Sequence, residues 1–260
     1  MKTLNFISKE NNEALHIQDN QVHLWYIPYN SQNILSTKFD KDEVLSEDEI
    51  RRANKYKFHI HRKQFITYRI ALRKILSIYY KISPRELVFK YTEYGKPYVA
   101  NSPIQYNIQF NLSHSEDMAV LGVTKNNLLG VDIEYIKPID NIDDIAIQFF
   151  SKSEYKKFVS LPSKYKLECF YEIWTRKEAF IKAIGEGLSH PLDTFEVSFY
   201  DDTTPRLIHI NGTVADAKEW LYRCLTFTHE RKKYELAILV NNTQSDFIKV
   251  EGLKNVCSCD

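Results

Sequence analysis

The chain has 260 residues with 35 Lys plus Arg against 34 Asp plus Glu, and at about 100–200 residues per domain it holds one large domain or two of about 130. A hydrophobic share of 43% excludes wholesale disorder, and only 7 Gly and 8 Pro exclude collagen-like or Pro/Gly-rich architectures. A formal net charge of +1 gives no field that would hold a long nucleic acid or an anionic membrane, so any anion must be bound by a local cluster.

The N-terminal apolar run, broken by Asn5 and ending at Ile7, is too short for the core of a secretory signal. No stretch approaches the ~20 apolar residues that cross a bilayer. The expectation is a cytoplasmic protein with reduced thiols at Cys169, Cys224, Cys257 and Cys259. Cys257-Ser258-Cys259 has no second cysteine pair or nearby His to complete a tetrahedral zinc set.

Residues 22–29 are rich in β-formers and read as a strand. Ser46 with Glu49 three residues later spells a capping box that opens a helix. A long helix follows from about Arg62 to Tyr80, with Phe65, Ile66, Ile70, Leu72, Ile75, Leu76 and Tyr79 on a broad apolar face. Ser83-Pro84 opens a short helical turn, and 88–91 and 108–112 read as strands. Residues 118–124 and 129–136 are expected to form a hairpin turning at Lys125-Asn126-Asn127, since Asn tolerates positive φ.

The second half repeats part of this order. Ser151 and Glu154 form another capping box 105 residues after Ser46, and a long helix from about Lys166 to Ile184 follows. Strands at 194–200, 206–210, 222–228 and 234–240 close the chain. The fold class is therefore α+β: two pseudo-symmetric halves, each a long helix packed on a small antiparallel sheet. The break falls between 1–129 and 130–260, and ligands are expected in the cleft between the halves.

Several residues are candidates for chemistry. Arg51, Arg52, Lys55, Lys57, Arg62 and Lys63 concentrate positive charge around the first helices, and Lys96 sits in Tyr94-Gly95-Lys96-Pro97. They line a solvated face or gather the charges of a phosphorylated small molecule. No P-loop and no G-x-G-x-x-G is present, which argues against ATP and NAD. Asn111-Leu112-Ser113-His114-Ser115 lies at a strand end, but no acidic partner at a known spacing and no G-x-S-x-G elbow supports a hydrolase triad. Ser113 and His114 there are phosphate contacts or ordinary turn residues. In Gly130-Val131-Asp132-Ile133-Glu134, strand alternation puts both carboxylates on one face. Either that face meets solvent, or a hard cation such as Mg²⁺ neutralises the pair. In Trp174-Thr175-Arg176-Lys177-Glu178-Ala179-Phe180-Ile181-Lys182, Lys177 falls within the apolar stripe and Glu178 and Lys182 share a flank. They form a snorkelling lysine and a surface pair, or a carboxylate and two ammonium groups converging on a phosphate.

In this order, Glu93-Tyr94-Gly95-Lys96-Pro97, Phe110 to Ser115, Gly130 to Glu134, Phe149-Phe150-Ser151 with Glu154, and Trp174-x-x-Lys177-Glu178-Ala179-x-x-Lys182 resemble the motifs of the 4′-phosphopantetheinyl transferase superfamily, in its larger, two-half Sfp type. Gly185-x-Gly187-Leu188 continues the last motif, and the resemblance runs from about Leu45 to Val240. It implies transfer of phosphopantetheine from coenzyme A to a serine of an apo acyl or peptidyl carrier protein, with release of 3′,5′-ADP. By the same resemblance Asp132, Glu134 and Glu178 hold Mg²⁺, and Glu178 is the base, directly or through water. Lys182 and His114 contact phosphates, Ser113 and Lys96 help hold the nucleotide, and Arg52 with Arg62 or Lys63 meets the 3′-phosphate. The first half then supplies nucleotide contacts and the second the metal and catalytic residues, which makes a monomer sufficient. The rival readings are an inactive module that binds coenzyme A or a carrier, and an acyltransferase indifferent to Mg²⁺. Nucleic acid and membrane are not expected partners.

Overall fold

The computed structural model describes residues 2–5, 16–29, 41–105, 107–202 and 204–251, so the Cys257-Ser258-Cys259 tail and residues 6–15 lie outside the described residues. In the first half, β1 (Lys2–Asn5) and β2 (Gln21–Pro28) precede helices α1 (Lys41–Val44), α2 (Glu47–Asn54) and α3 (His59–Tyr80). The small hairpin of β3 (Phe89–Tyr91) and β4 (Pro97–Val99) leads into β5 (Ile108–Ser115) and β6 (Met118–Lys125). The second half contains β7 (Leu129–Tyr135), α4 (Ile142–Phe149), α5 (Lys152–Val159), α6 (Ser163–Ile184), β8 (Phe195–Val197), β9 (Leu207–Ile210), α7 (Val214–Ala217), β10 (Leu221–His229) and β11 (Lys232–Val240). A last strand, β12 (Asp246–Glu251), ends the described chain.

The long helices take the places that apolar periodicity assigns them. Tyr68, Ala71, Leu72, Ile75, Leu76 and Tyr79 of α3 cover one face of the first sheet, against Trp25, Phe110, Leu121 and Val123. Burying each of the leucine and isoleucine side chains contributes about 1.5–3 kcal/mol. The opposite face of that sheet, with Val22, Leu24 and Val120, packs on Val131, Ile133, Leu236 and Ile238 of the second sheet. The far side of the second sheet carries Ala237 and Leu239 against Phe180, Ala183 and Ile173 of α6. The layers thus run helix, sheet, sheet, helix, and the two halves share the core between the sheets.

Both long helices span 22 residues and are tied in the same way. The carboxylate of Glu49 accepts the Ser46 N–H at 3.0 Å and the buried Arg73 of α3 at 2.6 Å. The carboxylate of Glu154 accepts the Ser151 N–H at 2.7 Å and the buried Lys177 of α6 at 2.7 Å. Each capping-box glutamate therefore neutralises one interior cation of the following long helix. This gives the repeated Ser-x-x-Glu signal a tertiary purpose as well as a local one.

Two features depart from the sequence reading. Asn126 has the expected positive φ of 62°, yet β6 and β7 do not pair. The edges of β6 are taken by β2 and β5, so β7 pairs with β11 in the other sheet. The last strand also leaves the second half. β12 inserts between β1 and β2, parallel to both, giving a mixed five-stranded sheet in the order β1-β12-β2-β6-β5. Residues 246–251 therefore complete the sheet of the first half.

Candidate active site

The site forms where the edge of β7 meets β5. β7 is the outer strand of the sheet β10-β11-β7, so alternate N–H groups along it point away from β11 and need other acceptors. Side chains of β5 supply them. Asn111 Oδ1 accepts the Val131 N–H at 2.8 Å, Ser113 Oγ accepts that of Ile133 at 3.4 Å, and Ser115 Oγ accepts that of Tyr135 at 3.0 Å. The two serine hydroxyls donate in turn to the carboxylates between those positions, Ser113 to Asp132 at 3.0 Å and Ser115 to Glu134 at 2.8 Å.

Helix α6 closes the other side. Gly130 lets its backbone lie directly on β7, because a Cβ there would meet the Ala179 carbonyl oxygen at 1.8 Å. That approach brings Glu178 and Lys182 over the strand face that carries Asp132 and Glu134. The Lys182 ammonium donates to Asp132 Oδ1 at 2.5 Å and to Ser113 Oγ at 3.1 Å. Burial opposes the charge on Lys182, but Asp132, with Glu178 and Glu134 behind it, holds its pKa above the usual lysine value. Burial, with the charges of Asp132 and Glu134 added, pushes Glu178 up to about 7 despite the pull of Lys182. Glu134 is raised by burial and by Asp132. His114 is lowered by burial and by Lys182, which favours its neutral form.

Among the described residues no three His, Cys, Asp or Glu side chains are already gathered around one ion position. Lys182 occupies Asp132 instead. The donor set nevertheless suits a hard divalent cation, being entirely carboxylate oxygen. Asp132 Oδ2 is buried without a hydrogen-bond partner among the described residues, leaving a free lone pair on the carboxylate.

His114 stacks on Tyr68 of α3, ring centroids 5.3 Å apart, and borders a cavity of about 360 Å³. Arg52, Arg69, Tyr91, Gly95 and Pro97 are among its other lining residues, and all of the lining comes from the first half, so this cavity is not the expected cleft between the halves. Sequence reasoning missed Arg69, whose guanidinium lies 4.2 Å over the Phe89 ring and pairs with Glu49. Asn111 and Ser115 were also missed as functional side chains. The signal available for them was a polar residue at every second position of a strand.

The structure brings together Ser113, His114, Asp132, Glu134, Glu178 and Lys182, and adds Arg52 at the cavity. It does not bring Lys177 there. Lys177 is fully buried on the other side of α6, bound to Glu154 and to the carbonyls of Leu192 and Phe195, each at 2.7 Å. A charge in an apolar stripe is here a paired structural cation, and the assignment of Lys177 to ligand binding is corrected. Lys96 reaches the border of the site, but its ammonium donates to the Ala183 carbonyl at 2.7 Å and the Leu129 carbonyl at 3.2 Å. It clasps the hairpin of the first half to the second half. Its stem lies against Gly185, which has φ +82° and closes α6 in a left-handed cap that favours glycine. Arg62 and Lys63 lie on the first turns of α3, outside the cavity lining.

Two family profiles match the chain. One is the 4′-phosphopantetheinyl transferase superfamily, over residues 128–239, and the other is the N-terminal part of a 4′-phosphopantetheinyl transferase, over residues 36–126. HetI of Nostoc sp., named a 4′-phosphopantetheinyl transferase, is 36% identical over 184 residues, which cover 71% of this chain and 76% of HetI. The chain belongs to the 4′-phosphopantetheinyl transferase superfamily. It is thus an enzyme of the transferase class and of Sfp type. Two similarly named proteins of Bacillus subtilis, ffp and Sfp, are 40% and 36% identical over 133 residues, which cover 51% of this chain and 57% of each of them. The two superfamily matches meet at residues 126 and 128, between β6 and β7, where the chain passes from one sheet to the other.

Proposed function

We propose that this 4′-phosphopantetheinyl transferase takes coenzyme A in the cavity of the first half that His114 borders, and transfers its phosphopantetheine to a serine of an apo acyl or peptidyl carrier protein. The observation that carries this reading is the convergence of Asp132, Glu134, Glu178 and Lys182 on one patch, close enough to His114 at the cavity wall for the Lys182 charge to act on its imidazole. The serine oxygen attacks the phosphorus next to the pantetheine, a new P–O bond forms, and the bond to the second phosphate breaks to release 3′,5′-ADP. Such a transfer needs alignment and neutralisation of charge more than covalent help.

Arg52 and Arg69 suit the phosphate on the nucleotide, and the aromatic and backbone wall at Tyr91, Gly95 and Pro97 suits its base. Asp132, Glu134 and Glu178 would hold Mg²⁺, which would neutralise pyrophosphate oxygens. Lys182 is placed to exchange Asp132 for a phosphate oxygen, and neutral His114 to donate an N–H to another. Glu178 takes the proton of the attacking hydroxyl, directly or through a water. A carboxylate that holds Mg²⁺ is a weaker base than a free one, which favours the route through a water. The two halves complete one site between them, so a monomer suffices. Among the described residues no helix is long and apolar enough to cross a membrane, and we place the enzyme in the cytoplasm. The two-half type favours carriers of non-ribosomal peptide or polyketide synthesis.

Glu178→Gln tests the assignment. Loss of a general base costs about 10²–10⁴-fold in rate, so 3′,5′-ADP release followed by chromatography should fall by that order while coenzyme A binding by calorimetry changes little. Equal loss of both would leave Glu178 as a ligand and remove it as the base.

A further inference from the structure

The Ser115 hydroxyl has one proton to give and two lone pairs to offer. The Tyr135 N–H, 3.0 Å from Oγ, can only donate, so it takes a lone pair. The proton of Ser115 must then lie on its other close neighbour, Glu134 Oε2 at 2.8 Å. This arrangement requires an accepting carboxylate oxygen, fixes which of the two oxygens is engaged, and leaves Oε1 as the free donor of Glu134. The same geometry recurs two residues earlier with Ser113, Ile133 and Asp132, and Asn111 anchors the start of the ladder on Val131. The metal-facing carboxylates of the second half are thereby set from a strand of the first.

We propose that Ser115 is a positioning residue for the metal: it holds Glu134 in the orientation that offers Oε1 to the ion, and it couples that orientation to the docking of β5 on β7. This rests on the reading of Asp132, Glu134 and Glu178 as the metal ligands. Removing the hydroxyl leaves the Tyr135 N–H and Glu134 Oε2 without these partners and frees the carboxylate to rotate. Loss of such a supporting hydrogen bond typically weakens metal affinity about 10–100-fold.

The test is titration of Mn²⁺ into the full-length protein, with and without coenzyme A, reading free Mn²⁺ by electron paramagnetic resonance alongside the thermal midpoint. Ser115→Ala should weaken Mn²⁺ about tenfold or more, and Ser115→Thr, which keeps the hydroxyl, should bind like the wild type. Should the alanine variant not fold, Ser115→Cys carries the test, because it conserves shape while supplying only a weak donor. Wild-type Mn²⁺ affinity in the Ala or Cys variant, with or without a lower thermal midpoint, would make Ser115 purely structural and overturn the inference alone. Wild-type protein that binds no Mn²⁺ in either condition would overturn the metal reading of the carboxylates and the inference with it.

Discussion

Gly130→Ala is the sharpest steric test of how α6 is seated on β7. The added methyl would lie 1.8 Å from the Ala179 carbonyl oxygen, 2.6 Å from the Ala183 nitrogen and 2.9 Å from the Ala179 carbonyl carbon. All three are backbone atoms of α6, so no side chain can swing aside. Ordinary contact starts at 3.4 Å, and α6 must back away from β7 by about 1.6 Å to reach it. Glu178 precedes Ala179 and Lys182 precedes Ala183, so both travel with the helix while Asp132 and Glu134 stay on the strand. A misplacement of about 1 Å costs on the order of 100-fold in rate, and overpacking of this kind costs about 1–3 kcal/mol of stability. Transfer kinetics and the urea midpoint measure the two effects. Gly122→Ala is the control, because its Cβ would meet only side-chain atoms, Val131 Cγ2 at 2.8 Å and Leu129 Cδ2 at 3.0 Å. It should cost less stability and leave the rate near that of the wild type. A Gly130→Ala enzyme with unchanged rate and midpoint would refute the proposed seating of α6.

Lys177→Met should destabilise the fold by about 3–5 kcal/mol, because it leaves the Glu154 carboxylate buried without its counter-ion. The double variant with Glu154→Gln should recover part of that in urea unfolding, while coenzyme A affinity of the folded protein stays unchanged. Burial pushes the Glu235 carboxyl up to about 7, against the hydrogen bond from Thr226 and with Glu172 adding to the rise. The folded state therefore keeps a proton that the unfolded chain sheds near its ordinary value of 4.5. The stability this contributes is complete below that value and is lost as pH rises through about 7. Glu235→Gln should flatten this part of a plot of urea midpoint against pH; an unchanged slope would contradict the assignment. Lys182→Gln removes the cation that occupies Asp132. Mn²⁺ affinity without coenzyme A should rise while coenzyme A affinity falls, and a fall in both would show that the ammonium does not compete with the metal.

What the sequence could reveal followed from its periodicities. Alternation at Asp132 and Glu134 and the four-residue spacing of Glu178 and Lys182 each fix a face, and the structure brings those faces together. Lys177 shows the limit of the same reasoning. Its place in the apolar stripe was legible, but its neutralising partner, Glu154, is on another helix and is found only by folding. Lys96 looked like a phosphate contact because its local motif carries no sign of the carbonyls it meets across the junction. The supposed hairpin after β6 followed from short spacing and a turn-forming Asn126. β2 and β5 take both edges of β6, so β7 joins β11 instead. The return of β12 to the first sheet was hidden for a related reason, since its partners lie at the opposite end of the chain. The polar alternation of Asn111, Ser113 and Ser115 was visible, but its meaning required the edge of β7 to arrive there.

The most direct test of the central claim is the intact mass of a purified apo peptidyl carrier protein after incubation with this enzyme, coenzyme A and Mg²⁺, beside a sample containing EDTA and a parallel apo acyl carrier protein. The account predicts a gain of one phosphopantetheine on at least one carrier and no gain in EDTA. An unchanged mass on both carriers, from an enzyme shown to bind coenzyme A, would contradict it and leave a binding module in its place.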